Sequence, residues 1–184
     1  MTGVGVTRDR LIRVATTALM RRGVHGSGVG DICTRAGVTK GVFTHHFPDG
    51  KEQLVLEVID RNRADLTSVL RARTGRSPAA LVRELFETYA DRLRRNGTDF
   101  GCPVAAAVVD ASEQWPRVRE ATRATFEEWS RQLPLDDGLG DLVIATLEGA
   151  ILQARAQADA DVVDRIGTAL ARLLAHDDPQ RAAS

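Results

Sequence analysis

The segment that decides the fold is Ala36-Gly37-Val38-Thr39-Lys40-Gly41-Val42-Phe43-Thr44-His45-His46-Phe47. It places a three-residue turn, residues 37–39, between a short helix predicted over residues 29–36 and another predicted from residue 40 to about residue 46. Two short helices joined by a three-residue turn that contains glycine form a helix-turn-helix. The second helix of that motif lies in the major groove of DNA with its N-terminal residues nearest the bases. The segment therefore predicts DNA binding.

The first residues of the second short helix fit this prediction. The hydroxyl of Thr39, the ammonium of Lys40 and the free amides of a helix N-terminus all suit a phosphate group. Gly41 has no side chain and so permits a close approach of the backbone to DNA. This end of the helix is the predicted contact with the nucleic acid.

The chain on both sides of the motif also reads as helical. Apolar residues recur at helical spacing, and glycine and proline residues separate the periodic segments. We expect a first helix over residues 8–22, a long fourth helix from residue 51 to about residue 73, and five more helices after residue 77. No segment shows the sustained alternation of a strand. The prediction is an all-α protein of about nine helices.

Composition places the protein in a broad class. Of the 184 residues, 43% are apolar and 27% are charged, which is typical of a soluble folded chain. The two cysteines, Cys33 and Cys102, form neither a disulfide framework nor a zinc cluster. No apolar run approaches the roughly 20 residues of a membrane helix, and the N-terminus lacks the pattern of a secretory signal. We expect a cytoplasmic protein with no membrane partner and no cofactor.

The formal net charge is zero, but the charge is unevenly distributed. Residues 1–74 hold 12 Lys and Arg against 7 Asp and Glu, a surplus of 5 positive charges, and the remaining residues hold 13 against 18. Such asymmetry is typical of a chain whose basic end binds a polyanion, although a solvated surface can show it too.

The sequence from Thr7 over about 50 residues resembles the DNA-binding signature of the tetracycline-repressor (TetR/AcrR) family. The resemblance lies in Gly23, in Asp31-Ile32-Cys33, in residues 36–47 quoted above and in Lys51-Glu52-Gln53-Leu54. Phe47-Pro48-Asp49-Gly50-Lys51 and Gly101-Cys102-Pro103-Val104-Ala105 are similar to the LmrA/YxaF-like branch. The resemblance implies an N-terminal three-helix helix-turn-helix DNA-binding domain over residues 5–65, with the motif at about 28–47. A helical ligand-binding and dimerisation domain follows over residues 66–178.

The resemblance also assigns residues to DNA. It implies that Lys51, at the start of the fourth helix, and Ser27, before the second, face phosphates. The full set predicted to bind DNA is Ser27, Thr39, Lys40, Gly41, Val42, Thr44, His45, His46 and Lys51.

Two features depart from the family pattern. Thr44 stands where the family usually has tyrosine. Gly28 and Gly30 each weaken the start of the second helix by about 0.5–1 kcal/mol. They are the best support for the alternative interpretation, a helical small-molecule-binding or scaffolding protein that has lost sequence-specific DNA binding. The presence of Lys40 and Lys51 argues against this alternative.

Aromatic residues make up only 4% of the chain, and six of the eight follow Gly75. Such a cluster can wall a cavity for an apolar or aromatic ligand, or it can be ordinary core. On the family resemblance we expect a small-molecule effector to contact Phe86, Tyr89, Cys102, Trp115, Phe126 and Trp129. Its binding would release the protein from its operator, so the predicted function is that of a repressor.

The last two predicted helices, over residues 140–157 and 161–175, are rich in alanine. In the family two such helices pair with their mates in a four-helix interface, which implies a homodimer. A dimer would place two recognition helices about 34 Å apart on a palindrome of double-stranded DNA.

Enzymatic and metal-binding functions are not expected. Asp110 and Glu113 lie one turn apart, but carboxylates at this spacing are common on a charged helix face. His45 and His46 are adjacent in a helix, point to different sides and have no further ligand at a suitable spacing. We therefore predict no catalytic and no metal-ligating residue.

Overall fold

The computed structural model describes residues 3–72, 76–111, 113–135 and 138–176. Within these ranges it contains nine helices and no strand, which confirms the predicted all-α fold. The helices are α1 (Gly3–Arg22), α2 (Val29–Ala36), α3 (Lys40–His46), α4 (Gly50–Arg71), α5 (Pro78–Asn96), α6 (Pro103–Ala111), α7 (Pro116–Gln132), α8 (Leu139–Gln157) and α9 (Asp161–His176).

The largest difference from the predicted boundaries is at the first helix. The sequence predicted a first helix over residues 8–22, whereas α1 begins five residues earlier, at Gly3. No proline lies between residues 3 and 8 to stop the helix from extending in the N-terminal direction. None of the described helices is long and apolar enough to cross a membrane.

The chain packs into two compact units. The first contains residues 1–64 and 101–125, and the second contains residues 65–100 and 126–184. Thus α6 and the first part of α7 belong with the N-terminal helices. The division into a DNA-binding domain over residues 5–65 and a ligand-binding domain over residues 66–178 concerns function and stays a prediction.

The first unit is built around one face of α1. Leu11, Ala15 and Leu19 of this helix are almost completely buried, and α1 packs against both α2 and α6. The Gly101 amide donates a 3.0 Å hydrogen bond to the Met20 carbonyl and so ties the segment before α6 to the end of α1. Helix α6 is therefore a structural part of the N-terminal unit.

The second unit depends on close packing of α5 against α9, with α8 packed on α9. A Cβ atom at Gly167 of α9 would overlap the Phe86 side chain, which is 1% exposed. The Arg94 guanidinium on α5 pairs with Asp161 and Asp164 at the start of α9. Only a residue without a side chain at position 167 allows this approach of the two helices.

This packing predicts a clear effect for Gly167→Ala. The added methyl group should lower the free energy of unfolding by about 1–3 kcal/mol, because the overlap forces the helices apart. Urea unfolding followed by circular dichroism measures the change. Gly30→Ala is the matched control: its Cβ would meet only the Lys40 Cε at 3.8 Å, so its free energy of unfolding should stay constant or rise. Equal losses in both variants would contradict this account.

Candidate nucleic-acid interface

The turn over residues 37–39 ends one helix and begins the next. Gly37 adopts a left-handed conformation with φ 62°, and its amide caps the carbonyl end of α2. Thr39 is extended, and its Oγ1 accepts a 3.3 Å hydrogen bond from the Val42 amide. These are a glycine C-cap and a threonine N-cap, so short-range interactions alone define the two helices of the motif.

Helix α3 is oriented by two aromatic rings. Phe43 and Phe47 are 4% and 0% exposed, and their stacked rings have centroids 5.3 Å apart. The Arg8 guanidinium of α1 lies over the Phe47 ring at 5.3 Å from its centroid. The opposite face of the motif is exposed and carries predicted DNA-binding residues: Thr39, Lys40, Gly41, Val42, Thr44 and His45.

Thr44 on this face and His46 at the end of α3 have additional local contacts. The Thr44 hydroxyl donates a 3.1 Å hydrogen bond to the Lys40 carbonyl. His46 is half-buried, and its pKa is lowered by burial first and then by the neighbouring His45 and Arg8. The His46 imidazole is therefore neutral at neutral pH and can both donate and accept a hydrogen bond. Within the described part of the chain, no group of three or more His, Cys, Asp or Glu residues is placed to hold a metal.

An ion pair joins α1 to α2. The Asp31 carboxylate accepts hydrogen bonds from Arg22 at the end of α1 and from Arg35 one turn further along α2. These hydrogen bonds, that of Arg22 first, lower the pKa of Asp31. The carboxylate thus stays ionised at neutral pH and links the two helices at their exposed surface.

The segment between α1 and α2, residues 23–27, is called the α1–α2 turn below. Ser27 is completely buried there, and its hydroxyl donates a 2.7 Å hydrogen bond to the Gly23 carbonyl. The Lys51 ammonium of α4 donates a 2.6 Å hydrogen bond to the Val24 carbonyl. Burial lowers the pKa of Lys51, and the negative charge of Asp110 opposes this effect. Phosphate contacts by Ser27 and Lys51 stay predictions; in this structure both side chains bind the α1–α2 turn.

Sequence reasoning missed Asp110 as a structural residue of this region. Its Oδ2 accepts a 2.7 Å hydrogen bond from the Val24 amide and a longer contact, 3.4 Å, from the His25 amide. A sequence signal was present at Gly23, where a Cβ atom would overlap the Asp110 carboxylate. The position of Gly23 at the end of α1 already explained this glycine, so it did not point to Asp110, which hydrogen-bonds to Val24 across 86 residues of the chain.

The residues predicted to bind a ligand fall in both compact units. Cys102 and Trp115 are half-buried residues of the first unit. The second unit contains four of the set, of which two are almost completely buried, Phe86 and Trp129. The Phe126 ring meets the Trp129 ring edge-on at 5.7 Å, and the Arg92 guanidinium lies 5.1 Å from the centroid of Tyr89. Their contact with an effector stays a prediction.

The second unit also has an open, mainly polar cleft of about 390 Å³ between the end of α7 and the start of α8. Its walls are formed by Glu127, Ser130, Arg131, Leu133, Leu135, Gly138, Gly140 and Asp141. The cleft is therefore formed by residues other than the predicted ligand-binding set.

Comparison with known proteins agrees with this architecture. Residues 11–58 match the profile of bacterial regulatory proteins of the tetR family, and residues 78–134 match the C-terminal domain of LmrA/YxaF-like transcriptional regulators. The chain is 31% identical over 194 residues to an uncharacterized HTH-type transcriptional regulator of Mycobacterium tuberculosis, covering 95% of this chain and 97% of that protein.

Two further similarities extend over most of the chain. The HTH-type transcriptional repressor DhaR of a Mycobacterium species is 26% identical over 177 residues, 88% of each chain. The crystal structure of a TetR transcriptional regulator from Chloroflexus aurantiacus superposes with a TM-score of 0.78 at 26% identity, covering 95% of this chain and 97% of that one. The chain belongs to the tetR family of bacterial regulatory proteins, in its LmrA/YxaF-like branch, and is a transcriptional regulator with a helix-turn-helix DNA-binding domain.

Proposed function

We propose that the protein is a dimeric repressor that binds a palindromic operator through α3 and is released by a small apolar or aromatic ligand. The observation that carries the DNA-binding part is the orientation of α3. Burial of Phe43 and Phe47 on one side leaves the residues at its N-terminal end exposed on the other. A helix presented in this way can enter the major groove.

The exposed residues of α3 suit different parts of a DNA duplex. The Lys40 ammonium can pair with a phosphate or with the acceptor atoms of guanine. Val42 is 36% exposed and offers an apolar surface for the methyl group of thymine. His45, also exposed, can donate a hydrogen bond to a base edge or to a phosphate. Together they give both affinity and sequence preference.

Lys51 can contact a phosphate without leaving its place. An ammonium has three protons, and the hydrogen bond to the Val24 carbonyl uses one of them. The side chain is only half-buried, so the other protons can face a DNA backbone. In this arrangement the hydrogen bond to Val24 holds the ammonium in position for the phosphate.

The proposed dimer forms through α8 and α9. Leu142 and Leu152 of α8 are 49% and 68% exposed, and Leu173 of α9 is 66% exposed, which is unusual for such large apolar side chains. Gly149 lies on the same face of α8 as the two leucines, and a Cβ atom there would meet nothing within 4 Å. An exposed apolar face of this kind suits a two-fold interface, in which each subunit contributes the same surface.

The repressor and effector parts of the proposal are supported by a similar protein and by the aromatic residues of the second unit. DhaR, which matches 88% of this chain, is named a transcriptional repressor. Phe126 of the second unit is half-buried, and its ring, edge-on to the buried Trp129 ring, is an aromatic group that an apolar effector can contact. An effector releases DNA only if it binds the DNA-incompetent conformation more tightly than the competent one.

Selection from random duplexes tests the DNA-binding proposal. We expect enrichment of a palindrome by the wild-type protein at two salt concentrations. Lys40→Ala and Lys51→Ala should each weaken binding and reduce its salt dependence, because each removes a cation from the phosphate backbone. Asp65→Ala, which removes an exposed charge on α4, is the control and should bind as the wild type does. No enriched sequence, with equally weak binding by all the proteins, would overturn the proposal and favour the small-molecule-binding or scaffolding alternative.

Substitution of one exposed leucine tests the proposed interface. Leu152→Glu should convert the dimer to a monomer in sedimentation velocity, because two carboxylates would be buried at the two-fold axis. Its circular dichroism spectrum should not change, since the side chain is exposed within one chain. Gln157→Glu adds the same charge to an exposed position of α8 outside this face and should remain dimeric. A dimeric Leu152→Glu variant would show that the subunits associate elsewhere.

A further inference from the structure

We propose that Asp110 of α6 is a positioning residue for operator binding: through the α1–α2 turn it holds the helix-turn-helix and the Lys51 ammonium in the arrangement that binds DNA. This inference rests on the function proposed above. It concerns the first compact unit only, to which α6 and the helix-turn-helix both belong.

The Val24 residue is held from two sides. Its amide donates to the Asp110 carboxylate at 2.7 Å, and its carbonyl accepts from the Lys51 ammonium at 2.6 Å. Val24 itself is 1% exposed, so few water molecules can replace either partner. The turn is thus fixed by one anion from α6 and one cation from α4, and both hydrogen bonds are of the strong, charge-assisted kind.

The structure provides space for this carboxylate. Gly23 has φ +70° and no side chain, and a Cβ atom at this position would overlap Asp110 Oδ2. Just before α6 begins, the Gly101 amide donates a 3.0 Å hydrogen bond to the Met20 carbonyl of α1. Hydrogen bonds therefore connect the segment before α6 to α1 and the end of α6 to the α1–α2 turn. These two attachments fix the position of the Asp110 carboxylate.

The α1–α2 turn controls two groups of the proposed DNA interface. It leads directly into α2, whose first turn begins with the hydrogen bond from the Ile32 amide to the Gly28 carbonyl at 3.0 Å. Helix α2 in turn packs against α3. The same turn provides the carbonyl that holds Lys51. A displacement of Val24 would therefore move both the recognition helix and the phosphate-binding ammonium.

The negative charge of Asp110 also has an opposite effect, because a carboxylate near Lys51 repels a DNA phosphate. The two effects predict opposite results when the charge is removed. We expect anchoring to be the larger effect. Loss of the carboxylate leaves a buried amide without its acceptor and a half-buried ammonium without its compensating charge, and an unpaired buried donor is costly.

The experiment compares Asp110→Ala, Asp110→Asn and Glu113→Ala in the full-length protein. Asparagine retains an oxygen that can accept from the Val24 amide, whereas alanine retains none. Glu113 is an exposed carboxylate three residues further along the chain and serves as the control. The probe is a fluorescein-labelled duplex of about 30 base pairs, three helical turns, that carries the palindrome selected by the wild-type protein. The readouts are the dissociation constant per active dimer, its dependence on salt and the melting temperature.

We expect Asp110→Ala to raise the dissociation constant about tenfold or more, Asp110→Asn by less than about threefold, and Glu113→Ala to have no effect, as suits the loss of a charge-assisted hydrogen bond. The slope of log affinity against log salt should fall by about 2 for Asp110→Ala, one phosphate contact from each subunit. Lys51→Ala should then cost less affinity in the Asp110→Ala background than in the wild type, because the two residues act through one turn.

Two results would overturn the inference. In the first, the Asp110→Ala protein binds the duplex at least as tightly as the wild type does, and the slope of log affinity against log salt is unchanged. This result would overturn the inference even if the melting temperature falls. The second is full additivity of Asp110→Ala and Lys51→Ala. If the wild-type protein selects no duplex, the proposed function itself is wrong. That result is obtained before any variant is made, so it is distinguishable from a failure of this inference.

Discussion

The burial of Phe43 and Phe47 is the constraint on which the DNA-binding face depends. Helix α3 has seven residues and is too short to be stable alone in water. Each buried phenylalanine contributes about 1.5–3 kcal/mol, and their stacked rings prevent rotation of α3 about its axis. One hydrophobic contact thus stabilises the helix and decides which of its residues face outward.

Two glycines in this region act through different physical causes. Gly37 is needed for its backbone, since it adopts the left-handed conformation that ends α2 and lets the chain turn toward α3. Gly23 also has a positive φ, but its missing side chain serves a second purpose, because the Asp110 carboxylate occupies the adjacent space. The first requirement is visible in the local sequence, whereas the second depends on α6.

The aromatic residues of the second unit show the same limit of local pattern. Spacings of three residues, as between Phe126 and Trp129, occur both in a core and in the wall of a cavity. Phe86 is buried because Gly167 of α9 allows that helix to approach α5. No feature of residues 86–89 indicates this approach, so the sequence alone left the two interpretations open.

Local interactions therefore determined much of this protein from its sequence alone. Periodic apolar residues, caps and breaking residues act over one or two helical turns, and they were sufficient for the all-α fold, the helix-turn-helix and its exposed face. Tertiary structure alone decided how the α1–α2 turn is held. The hydrogen bonds that Val24 makes with Lys51 and Asp110 join segments 27 and 86 residues apart. The surrounding packing also buries the Ser27 side chain completely. Such contacts have no local signature, because an aspartate on a solvated helix face and one that binds a distant turn have the same neighbours in the chain.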